Sequence, residues 1–303
     1  MKKGLEVITS LIIVIATCAG CCCCFTPGGG DISSRIIRDI NAGPVVTLDR
    51  VVELDDAEQA EVTIQFGGGT LEIGSSGDDL GKGSLMNGEF LYNLDELEPE
   101  IDYTVTQERG SLRIRNLSQE INLDRWTKEI RNEWKLVLTN EVPLELAIDT
   151  GASQGELALG GLPITDMELT VGAADVRVSF DERNPQEMNA LRVHSGAARL
   201  ELANLGNANL EKLLFDGGIG SYIFDLRGEW QRSAQVEIKS GVSNITIRLP
   251  GDVGVRLCPG SLKGGDYGKL QNKDGCYVNE LYKDAEIKIE IKLDVGLSDV
   301  NVK

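Results

Sequence analysis

Aromatic residues and histidine are scarce in this sequence. Phe, Trp and Tyr account for 5% of its 303 residues and His194 is the one histidine, whereas 35 residues are glycine. The hydrophobic fraction of 41% still provides enough Val, Ile and Leu for a core. Few aromatics beside many glycines favour thin, repeated core layers, as in a solenoid, over one bulky core. A single histidine also excludes a zinc site of two cysteines and two histidines.

Positive charge is scarce as well. The 30 Lys and Arg residues are outnumbered by 48 Asp and Glu residues, so the formal net charge is −18. So acidic a body repels phosphate backbones, and we therefore expect no nucleic-acid partner. It also repels anionic lipid headgroups. We interpret the acidity as an aid to solubility rather than as an acid-specific function.

The N-terminus has the features of a targeting segment. Two lysines precede an uncharged apolar stretch, residues 7–25, which ends in the flexible sequence TPGGG. We predict that residues 1–30 are a signal peptide or membrane anchor plus a glycine linker, oriented with the body outward. Two cysteine contexts resemble bacterial lipoprotein cleavage sites, which predicts lipidation of Cys21 or Cys18, and an uncleaved anchor is the alternative. Both versions place the body at the extracytoplasmic face of the cell membrane.

A glycine-led motif recurs through the C-terminal half. The clear copies are GAADVRV at 172, GAARLEL at 196, GIGSYIF at 218, GVSNITI at 241 and GLSDVNV at 296. A looser copy begins at 151, with Leu157 and Leu159 taken to lie two places late, and an outlying copy begins at 67. The glycines from 151 to 241 are 21, 24, 22 and 23 residues apart. That spacing is the length of one solenoid coil built from three short strands.

The motif has a physical basis. Alternating apolar residues turn one side of each strand inward, and glycine with small neighbours allows a tight corner and close stacking. We therefore predict an all-β fold with a β-solenoid over residues 141–303, equivalent corner glycines, and Val176, Leu200 and Ile245 stacked inside. A sandwich of glycine-punctuated strands is the alternative, but it has no reason to repeat one corner at nearly constant spacing.

The segment 31–140 is less regular, and we predict that it caps the stack. We expect strands at 61–66, 70–73, 90–93 and 135–138, a hairpin over 101–116 and a short helix or turn at 123–134. Trp126 and Trp134 lie here, and we assign them to covering the open end of the solenoid. A sugar-binding platform that includes Trp230 is the alternative.

Cys258 and Cys276 are the only cysteines of the body. They lie in a turn-rich excursion, residues 252–279, which accounts for the long interval between the glycines at 241 and 296. Because disulfides persist in an exported protein, we predict a disulfide between them. Two unpaired thiols, buried as small hydrophobes, are the alternative. Two cysteines are too few for a four-cysteine zinc site.

Several of these stretches resemble a known family. FGGGTLEI at 66–73, YTV at 103–105 and SLRI at 111–114 are similar to the N-terminal domain called toast-rack, and residues 142–176 are similar to the adhesin-like solenoid that follows it. The resemblance covers roughly residues 50 to 303. It implies a single-stranded right-handed β-helix on a bacterial envelope protein. Relatives include domains linked to antibiotic and envelope-stress sensing, and the family supplies no catalytic residues.

The sharpest catalytic candidate is LAIDTGAS at 146–153, which reproduces the Asp-Thr-Gly-Ala signature of retroviral-type aspartic proteases. Such an enzyme pairs Asp149 with its copy in a dimer so that two carboxylates share one proton. The repeat gives a simpler interpretation, because Asp149 occupies the variable position two residues before a corner glycine. His194 occupies the same position in another coil, so we assign neither residue to catalysis.

We predict a membrane-anchored, non-catalytic binding, scaffold or adhesin-like envelope protein without cofactor or metal, whose partner is an unknown envelope protein or polysaccharide. One alternative is a polysaccharide-binding or polysaccharide-cleaving β-helix enzyme, although the repeat positions carry no stacked pair of acids. The other alternative, an envelope-stress sensor component, depends on the resemblance alone.

Overall fold

Successive segments of this all-β chain stack as parallel, in-register coils. The computed structural model describes residues 42–75, 80–116, 130–260 and 265–303. The strands are β1 (Val46–Glu53), β2 (Gln59–Ser75), β3 (Ser84–Tyr92), β4 (Glu100–Thr106), β5 (Arg109–Arg115), β6 (Asn132–Leu138), β7 (Leu144–Ala158), β8 (Ile164–Val171), β9 (Asp175–Ser179), β10 (Met188–Ala203), β11 (Leu210–Asp225), β12 (Ala234–Arg248), β13 (Gly254–Pro259), β14 (Gln271–Lys273), β15 (Cys276–Val278) and β16 (Lys288–Val302). Short 3₁₀ turns lie at Asp95–Leu97, Leu205–Ala208 and Glu280–Lys283.

Each regular coil is one long strand that bends at its corner glycine. β2, β7, β10, β11, β12 and β16 are each 15 to 17 residues long, and in the coil between β7 and β10 the two arms are separate as β8 and β9. The expectation of three short strands per coil is therefore wrong. Two arms of strand and one connecting turn complete the coil, because the strand continues through the corner glycine instead of ending there.

The predicted interior ladder is confirmed. Val176 pairs with Leu200, Leu200 with Tyr222, and Tyr222 with Ile245, in four successive coils. Each of these side chains is 1% exposed, and Val300 of β16 extends the row. Inward rows of this kind bury the core of a solenoid layer by layer, so that each coil depends on its neighbours.

The corner glycines lie directly over one another. A Cβ placed on Gly172 would lie 2.8 Å from the carbonyl oxygen of Gly151, and one on Gly196 would lie 3.0 Å from that of Gly172. At Gly218 and Gly296 the corresponding distances to the preceding corner are 2.6 and 2.5 Å. Backbone therefore rests on backbone at this corner, which requires glycine for want of space.

The coil at Gly151 is more regular than its sequence suggests. Gly155 pairs with Val176 and Leu157 pairs with Val178, so Leu157 occupies its proper inward place. Glycine simply replaces the first apolar residue of this copy, and the Val176 methyls lie within 3.3 Å of where a Cβ on Gly155 would be. The expectation that Leu157 lies two places late is wrong, because a neighbouring coil fills the gap.

The stack begins earlier than expected, at β2. β2 pairs in parallel with β7 from Ala60 to Gly74, so residues 59–75 already supply both strand arms of a coil. On the other side of β2 lie β5 and β6, both parallel to it, and β4, β3 and β1 follow as antiparallel strands. This antiparallel layer covers the first coil, in keeping with the predicted cap. The β4–β5 hairpin is confirmed, with Gln107 and Glu108 at positive φ in its turn.

Aromatic side chains fill the cap. Trp134 of β6 is 1% exposed and packs edge-on against Phe66 and Phe90, with ring centroids 5.0 and 5.4 Å away. Residues 132–138 form β6, so the later part of the expected helix or turn is a strand, and the rest, with Trp126, lies outside the described residues. Trp230 is buried as well and donates to the carbonyl oxygen of Leu226.

At the other end of the stack the strand order departs from chain order. β16 lies between β12 and β13 and is parallel to both, and the β14–β15 hairpin lies outside β13. Cys258 of β13 and Cys276 of β15 form a disulfide. Residues 41–303 make one compact unit, and the predicted boundary near residue 140 falls inside it, between β6 and β7.

Candidate functional site

The first catalytic candidate, Asp149, occupies one rung of an exposed row of side chains. The row consists of the residues two places before each corner glycine, namely Gln65, Asp149, Thr170, His194, Asp216, Lys239 and Asp294. The neighbours of Asp149 in register are Gln65 and Thr170, and neither is a carboxylate. Among the described residues, the strand neighbours of Asp149 therefore offer no second acid with which to share a proton.

His194 lies between Thr170 and Asp216 in the same row, and it is exposed. The adjacent hydroxyl cannot serve as its nucleophile, because successive side chains of a strand face opposite sides. Ser195 accordingly points inward, is 8% exposed and lies 3.5 Å from the Tyr222 hydroxyl. The structure thus places His194 and Ser195 on opposite sides of the strand. His194 is a surface residue without a serine nucleophile beside it.

Two shallow depressions lie on the outer surface. One, of about 190 Å³, has cationic and anionic side chains mixed in its lining, which consists of Arg192, His194, Leu214, Phe215, Asp216, Glu237 and Lys239. The other, of about 380 Å³, lies beside Gly69 and Ser153, each two residues after a corner glycine. Neither converges several groups of one kind on a point, as an active site or an anion site does.

Ion pairs run across the coils on the second arm. Arg177 lies 3.6 Å from Glu156 and 2.8 Å from Glu201, and Arg248 lies 2.9 Å from Glu201 and 3.2 Å from Asp225. Burial alone raises the pKa of Asp225, but hydrogen bonds donated by Arg227 and Arg248 outweigh it and hold the pKa below its usual value. On this face, arginines and carboxylates alternate from coil to coil, so their charges largely neutralise one another. Most of these ion pairs are exposed, and each one contributes little to stability.

The corner carries a different surface, formed by the residue that follows each corner glycine. In the last three coils this residue is Ile219, Val242 or Leu297, and they pair in register across β11, β12 and β16. They are 55%, 47% and 81% exposed. We call these three residues the apolar ridge. A contiguous exposed apolar row on an acidic protein marks an interaction surface more often than single exposed residues do.

Acidic residues flank the apolar ridge. Asp216 and Asp294 lie three residues before Ile219 and Leu297, on one side, and Asp299 lies two residues after Leu297, on the other. All three are exposed, and none forms an ion pair with another described residue. Lys239 is the one cation at the equivalent positions of these coils.

Sequence reasoning overlooked the apolar ridge although its signal was present. The position after the corner glycine is Ala152, Ala173 or Ala197 in the earlier coils and becomes large only from Ile219 onward. The motif, taken as glycine followed by small residues, does not distinguish the large residues Ile219, Val242 and Leu297 from the alanines of the earlier coils. The change from Ala to Ile, Val and Leu at the position after the corner glycine is the sequence feature that indicates the apolar ridge.

The sequence matches the family described as "N-terminal domain of toast_rack, DUF2154" over residues 41–202 and 188–248. The chain belongs to this family. A comparison with curated proteins gives no significant match. The toast_rack match includes the cap, the corner at Gly151 and the coils up to β12, so the resemblance stated from the sequence is confirmed.

Solved structures resemble this toast_rack protein distantly. A candidate cell adhesion protein from Clostridium sporogenes is 23% identical, with a TM-score of 0.45 over 86% of this chain and 99% of that chain. A candidate adhesin from Bacteroides fragilis is 11% identical, and a candidate lipid binding protein from Parabacteroides distasonis is 9% identical. Both have a TM-score of 0.36 and cover 86% of this chain and 97% of their own.

The remaining expectations concern anchoring and metals. Cys18 and Cys21 lie outside the described residues of the toast_rack protein. In the part of the chain that the structure describes, no helix has the length and apolar character needed to span a bilayer. Within those same residues, no cluster of three or more His, Cys, Asp or Glu side chains forms a metal site.

Proposed function

We propose that this protein is a non-catalytic binding protein of the cell envelope, held at the extracytoplasmic face of the membrane by its N-terminal segment. The apolar ridge at Ile219, Val242 and Leu297 is the observation that carries the proposal. Exposed aliphatic side chains in register cost solubility, and their exposed parts add nothing to the core beneath them. A partner that covers these side chains would account for their exposure on an acidic protein.

The catalytic alternatives have less support. Asp149 lacks a carboxylate neighbour in register, and His194 faces away from Ser195. A polysaccharide-cleaving β-helix needs carboxylates stacked on one face. The exposed row here instead alternates Gln65, Asp149, Thr170, His194, Asp216, Lys239 and Asp294.

The binding function is tested with the compact unit, residues 41–303, and isolated bacterial cell envelopes. We expect the labelled unit to sediment with the envelopes, to saturate, and to be displaced by unlabelled unit. A unit that stays in the supernatant at every envelope concentration contradicts the proposal. New reducing ends released from envelope polysaccharide would contradict its non-catalytic part.

The anchor is tested separately in cells that produce the full chain. We propose that Cys21, or Cys18, is lipidated after cleavage of the leader. Labelling with an alkyne fatty acid should then be lost in Cys21→Ser or Cys18→Ser, while a serine change at the neighbouring Cys23 leaves it intact. Label in none of the variants, with the chain still in the membrane fraction, indicates the uncleaved anchor. Recovery in the cytosolic fraction contradicts both versions.

We further propose that the coils wind in the right-handed sense, as a single-stranded β-helix. Parallel strands joined by crossover connections are right-handed in about 98% of cases, because strand twist favours that path. The parallel pairing of β7, β10, β11, β12 and β16 supports this choice. An experimental density map in which these coils wind to the left would refute it.

A further inference from the structure

We infer that the apolar ridge binds an amphipathic α-helix of a partner protein, with basic residues on both sides of that helix's apolar stripe. The inference deepens the proposed function and rests on it, since it names the occupant of the same surface. Spacing, charge and the kind of side chain exposed on the ridge each support this occupant.

The spacing of the apolar ridge suits a helix lying along it. Ile219, Val242 and Leu297 are in register on adjacent strands, which are about 4.8 Å apart. A helix advances about 5.4 Å per turn, so side chains at i, i+3 or i+4, and i+7 meet three successive rungs with a mismatch of about 1 Å overall. An extended strand repeats a face about every 6.6 Å and falls out of step within two rungs.

The charge around the apolar ridge selects a basic helix. Asp216 and Asp294 lie on one side, with Lys239 in register between them, and Asp299 lies on the other side. All three carboxylates are exposed and form no ion pair with another described residue. The chain as a whole carries a net charge of −18. Lys and Arg next to the apolar stripe of the helix would neutralise these carboxylates and speed encounter.

Other occupants fit less well. A second copy of this chain would bring the same three carboxylates and another net charge of −18 to the contact. A polysaccharide generally stacks on aromatic rings, and the apolar ridge offers Ile219, Val242 and Leu297. An anionic lipid surface is repelled by Asp216, Asp294 and Asp299.

The test uses residues 41–303, which form a compact unit, and a synthetic helix of about 18 residues, or five turns, with a leucine stripe flanked by lysines. Affinity is measured by fluorescence anisotropy. One control peptide has the same composition with the leucines spread around the helix, and a second replaces every lysine by glutamate. Self-association of the unit and its binding to anionic vesicles are measured in parallel.

The ridge variant is Leu297→Ser, and its matched control is Val51→Ser, since Val51 is also exposed, at 56%, but lies in β1. We expect Leu297→Ser to weaken binding of the leucine–lysine helix by about tenfold or more, and Val51→Ser to leave it unchanged. The charge variant Asp294→Asn with Asp299→Asn should weaken binding and reduce its salt dependence. The control pair Glu89→Gln with Asp102→Asn should do neither.

Equal affinity for the glutamate helix or for the scattered peptide overturns the inference. The inference is also overturned if Leu297→Ser binds the leucine–lysine helix as tightly as the wild type does. Self-association of the unit that Leu297→Ser abolishes, or binding of the apolar ridge to anionic vesicles, would overturn it as well. Sedimentation of Leu297→Ser with cell envelopes separates the two proposals. If the variant sediments as the wild type does, this inference fails and the envelope-binding function stands. If the wild type itself does not sediment, the proposed function fails whatever the peptide shows.

Discussion

Replacing Gly151 by alanine tests directly whether backbone-on-backbone stacking holds the coils together. A Cβ at this position would lie 2.1 Å from the carbonyl oxygen of Gly67 in the preceding coil. Carbon and oxygen atoms without a bond between them stay more than 3 Å apart, so the two corners must separate by about 1 Å. The movement stretches the strand pairing between β2 and β7 at this corner, where Phe66 pairs with Thr150 and Gly68 pairs with Ala152.

The expected loss of stability follows from two contributions. Overpacking against a rigid backbone costs about 1–3 kcal/mol, and weakening one backbone hydrogen bond costs about 1 kcal/mol more. We therefore expect Gly151→Ala to lower the free energy of unfolding by about 3 kcal/mol. The matched variant Gly241→Ala occupies the same place in another coil, but its Cβ would lie 3.1 Å from the Gly218 oxygen. It should cost less than about 1 kcal/mol.

Urea unfolding of the two variants and of the wild type, followed by far-ultraviolet circular dichroism, gives the comparison. Gly74→Ala serves as a further control, since nothing lies within 4 Å of its added Cβ. Equal destabilisation by Gly151→Ala and Gly241→Ala would refute the argument from space, because both carry the same residue change.

Three further predictions follow. Asp149→Asn should leave stability and envelope binding unchanged, because the side chain is an exposed rung of a variable row, and a peptidase activity lost on this change would contradict that assignment. Reducing the Cys258–Cys276 disulfide, which closes a loop of 18 residues, should cost about 3 kcal/mol in urea unfolding. Two titratable thiols in the unfolded, unreduced unit of residues 41–303 would contradict the bond. Because the folded pKa of Asp225 lies below 3.8, its contribution to stability is present above the unfolded pKa and is lost as pH falls through the folded pKa. Asp225→Asn should therefore flatten the loss of stability below about pH 4, and an unchanged acid profile would contradict the role of this carboxylate.

The parts of the fold that could be predicted are those with a local signal. Corner glycines and inward apolar residues repeat in each coil, so the sequence alone predicts that Val176, Leu200 and Ile245 lie on one inward row, as the structure shows. The β4–β5 hairpin was equally local, because its turn and both strands lie within residues 100–115. Period and turn chemistry are properties of neighbouring residues.

The parts that could not be predicted depend on partners distant in the sequence. The corner motif at 67 was visible, but only pairing with β7 shows that β2 is a coil of the stack, since 68 residues separate the ends of the two strands. The insertion of β16 between β12 and β13 has no sequence signal, because all three strands alternate apolar residues alike. The place of Leu157 could not be predicted for the same reason, because the Val176 methyls of the next coil fill the space beside Gly155.

The in-register corner also has a consequence for how such a protein changes over generations. Gly196 and Gly218 are equivalent and 22 residues apart, so an in-frame loss of residues 196–217 would join Ser195 to a glycine that already suits the place. A duplication of the same stretch would add one coil with its own exposed rung. Genes for such proteins can thus lengthen or shorten a recognition face one rung at a time, while the rungs already present keep their neighbours.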